Sequence, residues 1–335
     1  MNERVTILGA GSWGMAISRI LATGGRQVTL WAYDPREYQR LTVMRGDPEK
    51  LKQFQLPQDV RITNHLSEAL AAFDLLVLAV PAQHLRSVLR NSGMPSADGP
   101  AVVNLAKGIE TGTLRRMSEV IREESGFAAN QIATLSGPSH AEEVALDMPT
   151  TVVAAAPSLD LARRVQELFS GPSFRVYTSD DLVGVELGGS LKNIIAIASG
   201  IVDGLGFGDN TKGALITRGL AEMTRLGVSL GARAETFAGL SGLGDLVTTC
   251  TSRHSRNRWV GEQIGKGFKL HEILLTMTMV AEGVETTRSA RDLARQVGVE
   301  MPITSEIYKV LFEGKSPRVA VEDLMGRSLK AEIWQ

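Results

Sequence analysis

Through the first half of the chain, apolar positions fall into two alternating rhythms. Short apolar runs, RVTILG, QVTLWAY, DLLVLAV, AVVNLAK, QIATLSG, TTVVAAA and SFRVYTS, read as β-strands. Between several of them lie segments of helical period, at residues 15–23, 67–72, 83–89 and 113–125. Strands alternating with helices predict a doubly wound, largely parallel sheet. After about residue 182 the strand pattern stops. The later stretches ALITRGLAEMTRLGVSLG, GVETTRSARDLARQVGV and TSEIYKVLFEG read as amphipathic helices. The expected fold class is therefore α/β followed by all-α, with a sheet domain over residues 1–182 and a helical domain over residues 183–335.

One helical stretch departs from the common pattern. In and just after VELGGSLKNIIAIASG, residues 185–200, Leu187, Leu191, Ile194, Ile195, Ala198, Ile201 and Val202 share an apolar face. Lys192 lies on a different face, among the mostly small residues Val185, Gly188, Gly189, Ala196, Ser199 and Asp203. Such a strip lets something approach the helix backbone closely.

Composition narrows the classes. The apolar fraction of 43% and charged fraction of 22% are those of a globular protein, and 335 residues suggest about two domains. A formal net charge of −1 gives no global attraction to nucleic acid or an anionic membrane. The single cysteine, Cys250, excludes an internal disulfide and a thiolate metal cage. With charged residues leading straight into a strand, no signal-type segment and no apolar run judged long enough to span a bilayer, a cytoplasmic protein is expected.

The first strand runs into Gly9-Ala10-Gly11-Ser12-Trp13-Gly14, a GxGxxG pattern that opens a helix. Glycines there allow a tight turn, and the helix start offers amides to a pyrophosphate. Asp34, twenty residues past Gly14, stands where a ribose-binding acid is expected, yet an acid after a strand is equally a helix cap. Facing the ribose, it would disfavour a 2′-phosphate. Ligands gather at the carboxyl ends of parallel strands, where Pro81, Lys107-Gly108 and Gly137-Pro138-Ser139 follow predicted strands.

A nicotinamide enzyme needs a group that handles the substrate proton while hydride moves. The five histidines are dispersed and lack zinc-ligand spacing, so no metal is expected. Lys192 fits the task if burial and a neighbouring cation, Lys107, lower its pKa; otherwise it is a snorkelling helix lysine. Asp245, among glycines and before an apolar pair, needs a buried partner. Arg253, Arg256 and Arg258 around Ser255 and Asn257 at a helix start make either an anion site, phosphate foremost, or an exposed basic turn. Cys250 reads as a packing residue, and Glu282 as a cap or a ligand.

Taken in order, GAGSWG, Lys107-Gly108, SGPSHAEE, GVELGGSLKNIIAIASGIVDGLGFGDN, ALITRGLAEM, GLGDLVTTCTSRHSRNR and VAEGVETT resemble the glycerol-3-phosphate dehydrogenase family, in its bacterial, soluble, NAD(P)-dependent form. The resemblance covers nearly the whole chain. It implies reversible reduction of dihydroxyacetone phosphate to sn-glycerol 3-phosphate for glycerophospholipid synthesis, with NADH or NADPH as coenzyme. It also implies an N-terminal Rossmann domain, a helical C-terminal domain and a homodimer. By matching motif, Lys192 is the proton donor and acceptor, Lys107 touches substrate and cofactor, and Asp245 positions Lys192 and substrate. Ser255, Arg256 and Asn257 hold the phosphate, and Gly137 and Ser139 line the substrate site. The cofactor falls to Gly9, Gly11, Ser12, Trp13 and Gly14 of the loop, to Tyr33 and Ala141, and to Lys107, Arg256, Val280 and Glu282. Tyr33 would stack on the adenine, and the glycines of residues 185–200 would let that helix lie beneath a bound nicotinamide and small substrate. Against this stand another hydroxyacid dehydrogenase of similar layout and a non-catalytic nucleotide sensor.

Overall fold

The computed structural model describes residues 3–93, 100–329 and 331–332. Eight strands form one sheet: β1 (Arg4–Leu8), β2 (Gln27–Trp31), β3 (Arg61–Thr63), β4 (Leu75–Leu78), β5 (Ala101–Asn104), β6 (Ile132–Ser136), β7 (Thr150–Ala155) and β8 (Phe174–Ser179). Their order is β3-β2-β1-β4-β5-β6-β7-β8. The first six are parallel, the 3-2-1-4-5-6 order of dinucleotide-binding sheets. β7 turns antiparallel to β6, and β8 follows it in parallel. Seven strands coincide with the seven apolar runs. β3 is an additional three-residue edge strand, too short and too polar to carry a pattern of its own, and it forms by pairing with β2.

Helices α1 (Ser12–Thr23), α2 (Pro35–Met44), α3 (Leu66–Ala69), α4 (Ala82–Arg90), α5 (Met117–Ser125), α6 (Ala141–Val144) and α7 (Leu159–Phe169) accompany the strands. Both sheet faces are covered, so a strand such as Leu75–Leu78 is buried along its whole length and reads as an unbroken apolar run. The helical half holds α8 (Leu182–Gly204), α9 (Asp209–Ser229), α10 (Ala234–Ala238), α11 (Asp245–Thr251), α12 (Arg256–Gly265), α13 (Leu270–Thr276), α14 (Glu282–Gln296), α15 (Pro302–Phe312) and α16 (Pro317–Met325). A π-helical turn, Leu240–Gly244, leads into α11.

The 23-residue α8 is the axis of this half. Asp181 caps it, accepting from Gly184 N at 2.9 Å and from Arg233 N at 2.9 Å, which ties its start to α10. By length and composition α8 could cross a bilayer, which corrects the expectation that no apolar run reaches that length. It is instead interior, wrapped by α9, α11, α12 and α14. Its small residues serve that wrapping. Along α12, a Cβ at Gly261 would sit 1.9 Å from Ile197 O, and one at Gly200 would sit 1.9 Å from Arg258 O. Only glycine permits this backbone-to-backbone crossing.

Gly261→Ala is therefore expected to force the two helices apart. It should lower stability by about 1–3 kcal/mol, the usual cost of overpacking, read as a reduced urea midpoint at unchanged slope.

Candidate active site

A cleft of about 700 Å³ opens where the parallel strands end, between the sheet and the start of α12. The loop after β1 forms one wall. Gly9 has φ of +111°, and a Cβ there would lie 2.6 Å from Ala79 O, so no other residue fits without moving β4. Gly9, Gly11, Ser12 and Trp13 line the cleft, whereas Gly14 lies behind it, packed against Gly9 O. The first-turn amides of α1 thus face the open space, the arrangement that holds a pyrophosphate. Ser12 Oγ donates to Lys50 O at 3.3 Å, and Trp13 packs against Phe174 with ring centroids 6.3 Å apart. Tyr33 lines the mouth after β2, largely exposed. Asp34 is absent from the lining; its Oδ1 accepts from Arg36 N at 2.7 Å and Glu37 N at 3.3 Å, so it caps α2.

At the floor, three charged groups from distant parts of the chain meet. Lys192 Nζ bonds Asp245 Oδ1 and donates to Thr249 Oγ1 at 2.7 Å. Lys107 Nζ donates to Asp245 Oδ2 at 2.7 Å and to Gly137 O at 3.0 Å. Each oxygen of one carboxylate therefore holds one ammonium. Thr249 donates its own proton to Asp245 O at 2.6 Å, which leaves its oxygen free to accept from Lys192. Burial, assisted by Lys107 and opposed by Asp245, brings the Lys192 pKa down to about 7. Burial would raise the Asp245 carboxyl, but the two ammoniums prevail and hold it below the usual range. Both lysines line the cleft; Asp245 lies beneath them, 1% exposed, so it acts through the lysines rather than by touching the open space. Gly137 likewise supports from behind, its carbonyl taking Lys107 and the Ser139 hydroxyl.

The glycine strip of α8 is filled by protein, which corrects the expectation of a nicotinamide lying on it. A Cβ at Gly189 would meet Ser136 Oγ at 2.5 Å and the Lys107 stem at 3.5 Å; one at Gly188 would meet Ser241 O at 2.6 Å. The strip admits the second lysine and the turn that carries Asp245.

Of the arginine cluster, Arg256 alone lines the cleft. Arg258 is turned away to Asp203 at 2.7 Å and Glu262, which removes it from the anion site. Ser255 caps α12 by accepting from Arg258 N at 3.1 Å, so its hydroxyl proton stays available. Asn257 bonds Gly283 N at 2.9 Å and Asn193 Oδ1 at 3.0 Å, keeping one amide proton for the cleft. Glu282 reaches across to the sheet half, where its Oε1 accepts from Ala82 N at 3.0 Å at the start of α4. Burial raises its carboxyl to about 7, and its Oε2 is buried without a partner. Ser139, Ala141 and Val280 complete the lining.

The N-terminal model of the NAD-dependent glycerol-3-phosphate dehydrogenases matches residues 4–162, and the C-terminal model matches residues 181–322. The chain belongs to this family. A glycerol-3-phosphate dehydrogenase [NAD(P)+] of Geobacter sulfurreducens is 52% identical over 335 residues, covering 100% of both chains. One from Salinibacter ruber is 51% identical, covering 100% of this chain and 97% of the relative. A solved glycerol-3-phosphate dehydrogenase from Coxiella burnetii superposes with a TM-score of 0.93 at 37% identity, covering 97% of this chain and 99% of that one. A D-mandelate dehydrogenase structure, 14% identical with a TM-score of 0.62, shares the fold alone.

For this member of the family, sequence reasoning missed several cleft residues. Thr249 stands one helical turn after Asp245, a spacing that could have signalled it. His140 lines the floor with Nε2 buried and unpartnered, its pKa brought to about 4 by burial and by Lys192. Glu37 and Lys50 line the outer end in no recognisable motif. Cys250 is buried, and burial pushes its thiol up to about 12, consistent with packing.

Asp245→Asn leaves two ammoniums facing each other without their counter-charge. Losing one partner of a buried pair costs about 3–5 kcal/mol, less what Lys107 recovers by turning to water, and urea unfolding measures the difference.

Proposed function

We propose that this enzyme reversibly reduces dihydroxyacetone phosphate to sn-glycerol 3-phosphate with NADH or NADPH, Lys192 giving and taking the proton at the C2 oxygen. The supporting observation is the buried Lys192, held by Asp245 and Thr249 with its third N–H unspent and its pKa near neutrality. The residues present suit a dinucleotide, since the Gly9–Trp13 wall offers helix-start amides and Glu282 carries an orphaned oxygen. When bound, the dihydronicotinamide supplies the hydride. As the carbonyl oxygen gains charge, Lys192 stabilises it and then donates its proton to form the hydroxyl. Asp245 keeps both ammoniums in place, and Lys107 adds positive charge beside the same oxygen. Arg256, the Ser255 hydroxyl and the free Asn257 proton hold the substrate phosphate at the α12 start.

The change from sheet to helix between Ser179 and Leu182 supports a coenzyme domain over residues 1–182 and a substrate domain over residues 183–335. Reducing conditions suit the single free Cys250, which supports a cytoplasmic place. Supply of the glycerophospholipid backbone and a homodimeric state rest on the family resemblance.

Lys192→Ala is expected to lower kcat by about 10²–10⁴-fold with coenzyme affinity nearly unchanged; normal turnover would remove Lys192 from the mechanism. Because reduction needs the protonated amine, its rate should hold below the Lys192 pKa of about 7 and fall above it, while glycerol 3-phosphate oxidation rises over the same range. Arg256→Ala should raise KM for the phosphate substrate by about tenfold or more, and an unchanged KM would exclude the phosphate role. Folded protein that oxidises neither NADH nor NADPH with dihydroxyacetone phosphate would overturn the reading.

A further inference from the structure

The outer end of the cleft contains a charge arrangement that the reaction does not use. In a sheet of this order, the adenosine ribose lies beyond the carboxyl end of the second strand, where an acid selects a free 2′-hydroxyl. Two acids stand near that end. Asp34 has committed its carboxylate to the amides of Arg36 and Glu37 and does not line the cleft. Glu37 does line it, but its Oε1 already holds the Lys50 ammonium. Asp34 is thus set outside the cleft, and Glu37 presents itself there as one half of an ion pair.

Beside Glu37 stands a cationic donor. Lys50 also lines the cleft, and Glu37 takes one of its three N–H groups, leaving two. Its backbone is fixed on the coenzyme side, since Lys50 O accepts from Ser12 Oγ at 3.3 Å and Lys50 N donates to Asp47 O at 3.0 Å. Of the other nearby cations, Arg40 pairs with Asp47 at 2.9 Å, and neither Arg40 nor Arg36 lines the cleft. A phosphate monoester arriving there would meet Lys50, the cation lining this end of the cleft, and would compete with Glu37 for it.

We propose that Lys50 is the coenzyme-specificity residue, binding the 2′-phosphate of the adenosine ribose in exchange for Glu37, so that NADPH is preferred over NADH. This rests on the coenzyme orientation of the proposed reduction. Glu37 acts as the resident occupant of the phosphate position, satisfying Lys50 while the site is empty of phosphate. Burial raises the Glu37 carboxyl, so on giving up Lys50 it can take a proton in place of the ammonium.

Binding of 2′,5′-ADP and 5′-AMP to the full chain, measured by calorimetry, tests this without turnover. The wild-type protein should bind 2′,5′-ADP about tenfold or more tightly than 5′-AMP. Lys50→Ala retains the carbonyl that holds Ser12, and should bring the two fragments within about twofold by weakening 2′,5′-ADP alone. Glu37→Gln removes the competitor and should tighten 2′,5′-ADP. The ratio of kcat/KM for NADPH over NADH should fall with Lys50→Ala in parallel. Equal fragment affinities in the wild-type protein, or equal losses for both fragments in Lys50→Ala, would overturn the proposal. Failure to oxidise either coenzyme would overturn the proposed reaction while leaving the fragment result standing.

Discussion

Everything at the floor of the cleft depends on one carboxylate holding two ammoniums. Asp245 is buried, and without compensation a buried anion would be protonated or expelled. Lys107 and Lys192 each occupy one of its oxygens, and each would be strongly disfavoured in that setting alone. The three form a cluster with one surplus positive charge. That surplus, together with burial, holds Lys192 near neutrality, where it can both release and accept a proton. A lysine in water would hold its proton too tightly to serve in both directions.

The cluster requires close packing, and α8 provides it. Gly189 leaves room for the Lys107 stem and Gly188 for the turn before Asp245, so the two lysines converge from different halves of the chain. Further along, the glycine crossing with α12 brings the Ser255–Asn257 corner against the same helix. A single buried helix thereby sets the separation between the proton-handling amine and the anion-binding corner. Fixed separation is what a small phosphate ester needs if its carbonyl and its phosphate are to be held together.

What the sequence made legible follows the range of the interactions involved. The strands and the phosphate loop are local patterns, and so is the isolation of Lys192 from any acid within a helical turn. The need of Asp245 for a partner was readable from its apolar neighbours, but the partners' identity was not, because they lie 53 and 138 residues away. β3 escaped because its pairing with β2, rather than its own three residues, makes it a strand. Asp34 was ambiguous because a cap and a ribose ligand demand the same residue at the same place; only the direction of its carboxylate separates them. Arg258 looked equivalent to Arg256 in one dimension, yet two positions along a helix turn it to the opposite side, toward Asp203.

Glu186, Asp245 and Glu282 all belong to the helical half, and each accepts from a donor of the sheet half. Glu186 accepts from Ser118 N and Arg116, Asp245 from Lys107, and Glu282 from Ala82 N. The two halves are therefore not interchangeable modules. A chimera that grafted a foreign dinucleotide-binding sheet onto this helical half would take a donor from each of these three acids at once, however well the backbones superposed. Recombination within this fold must carry the positions of Lys107, Arg116, Ser118 and the start of α4 along with the helices they serve.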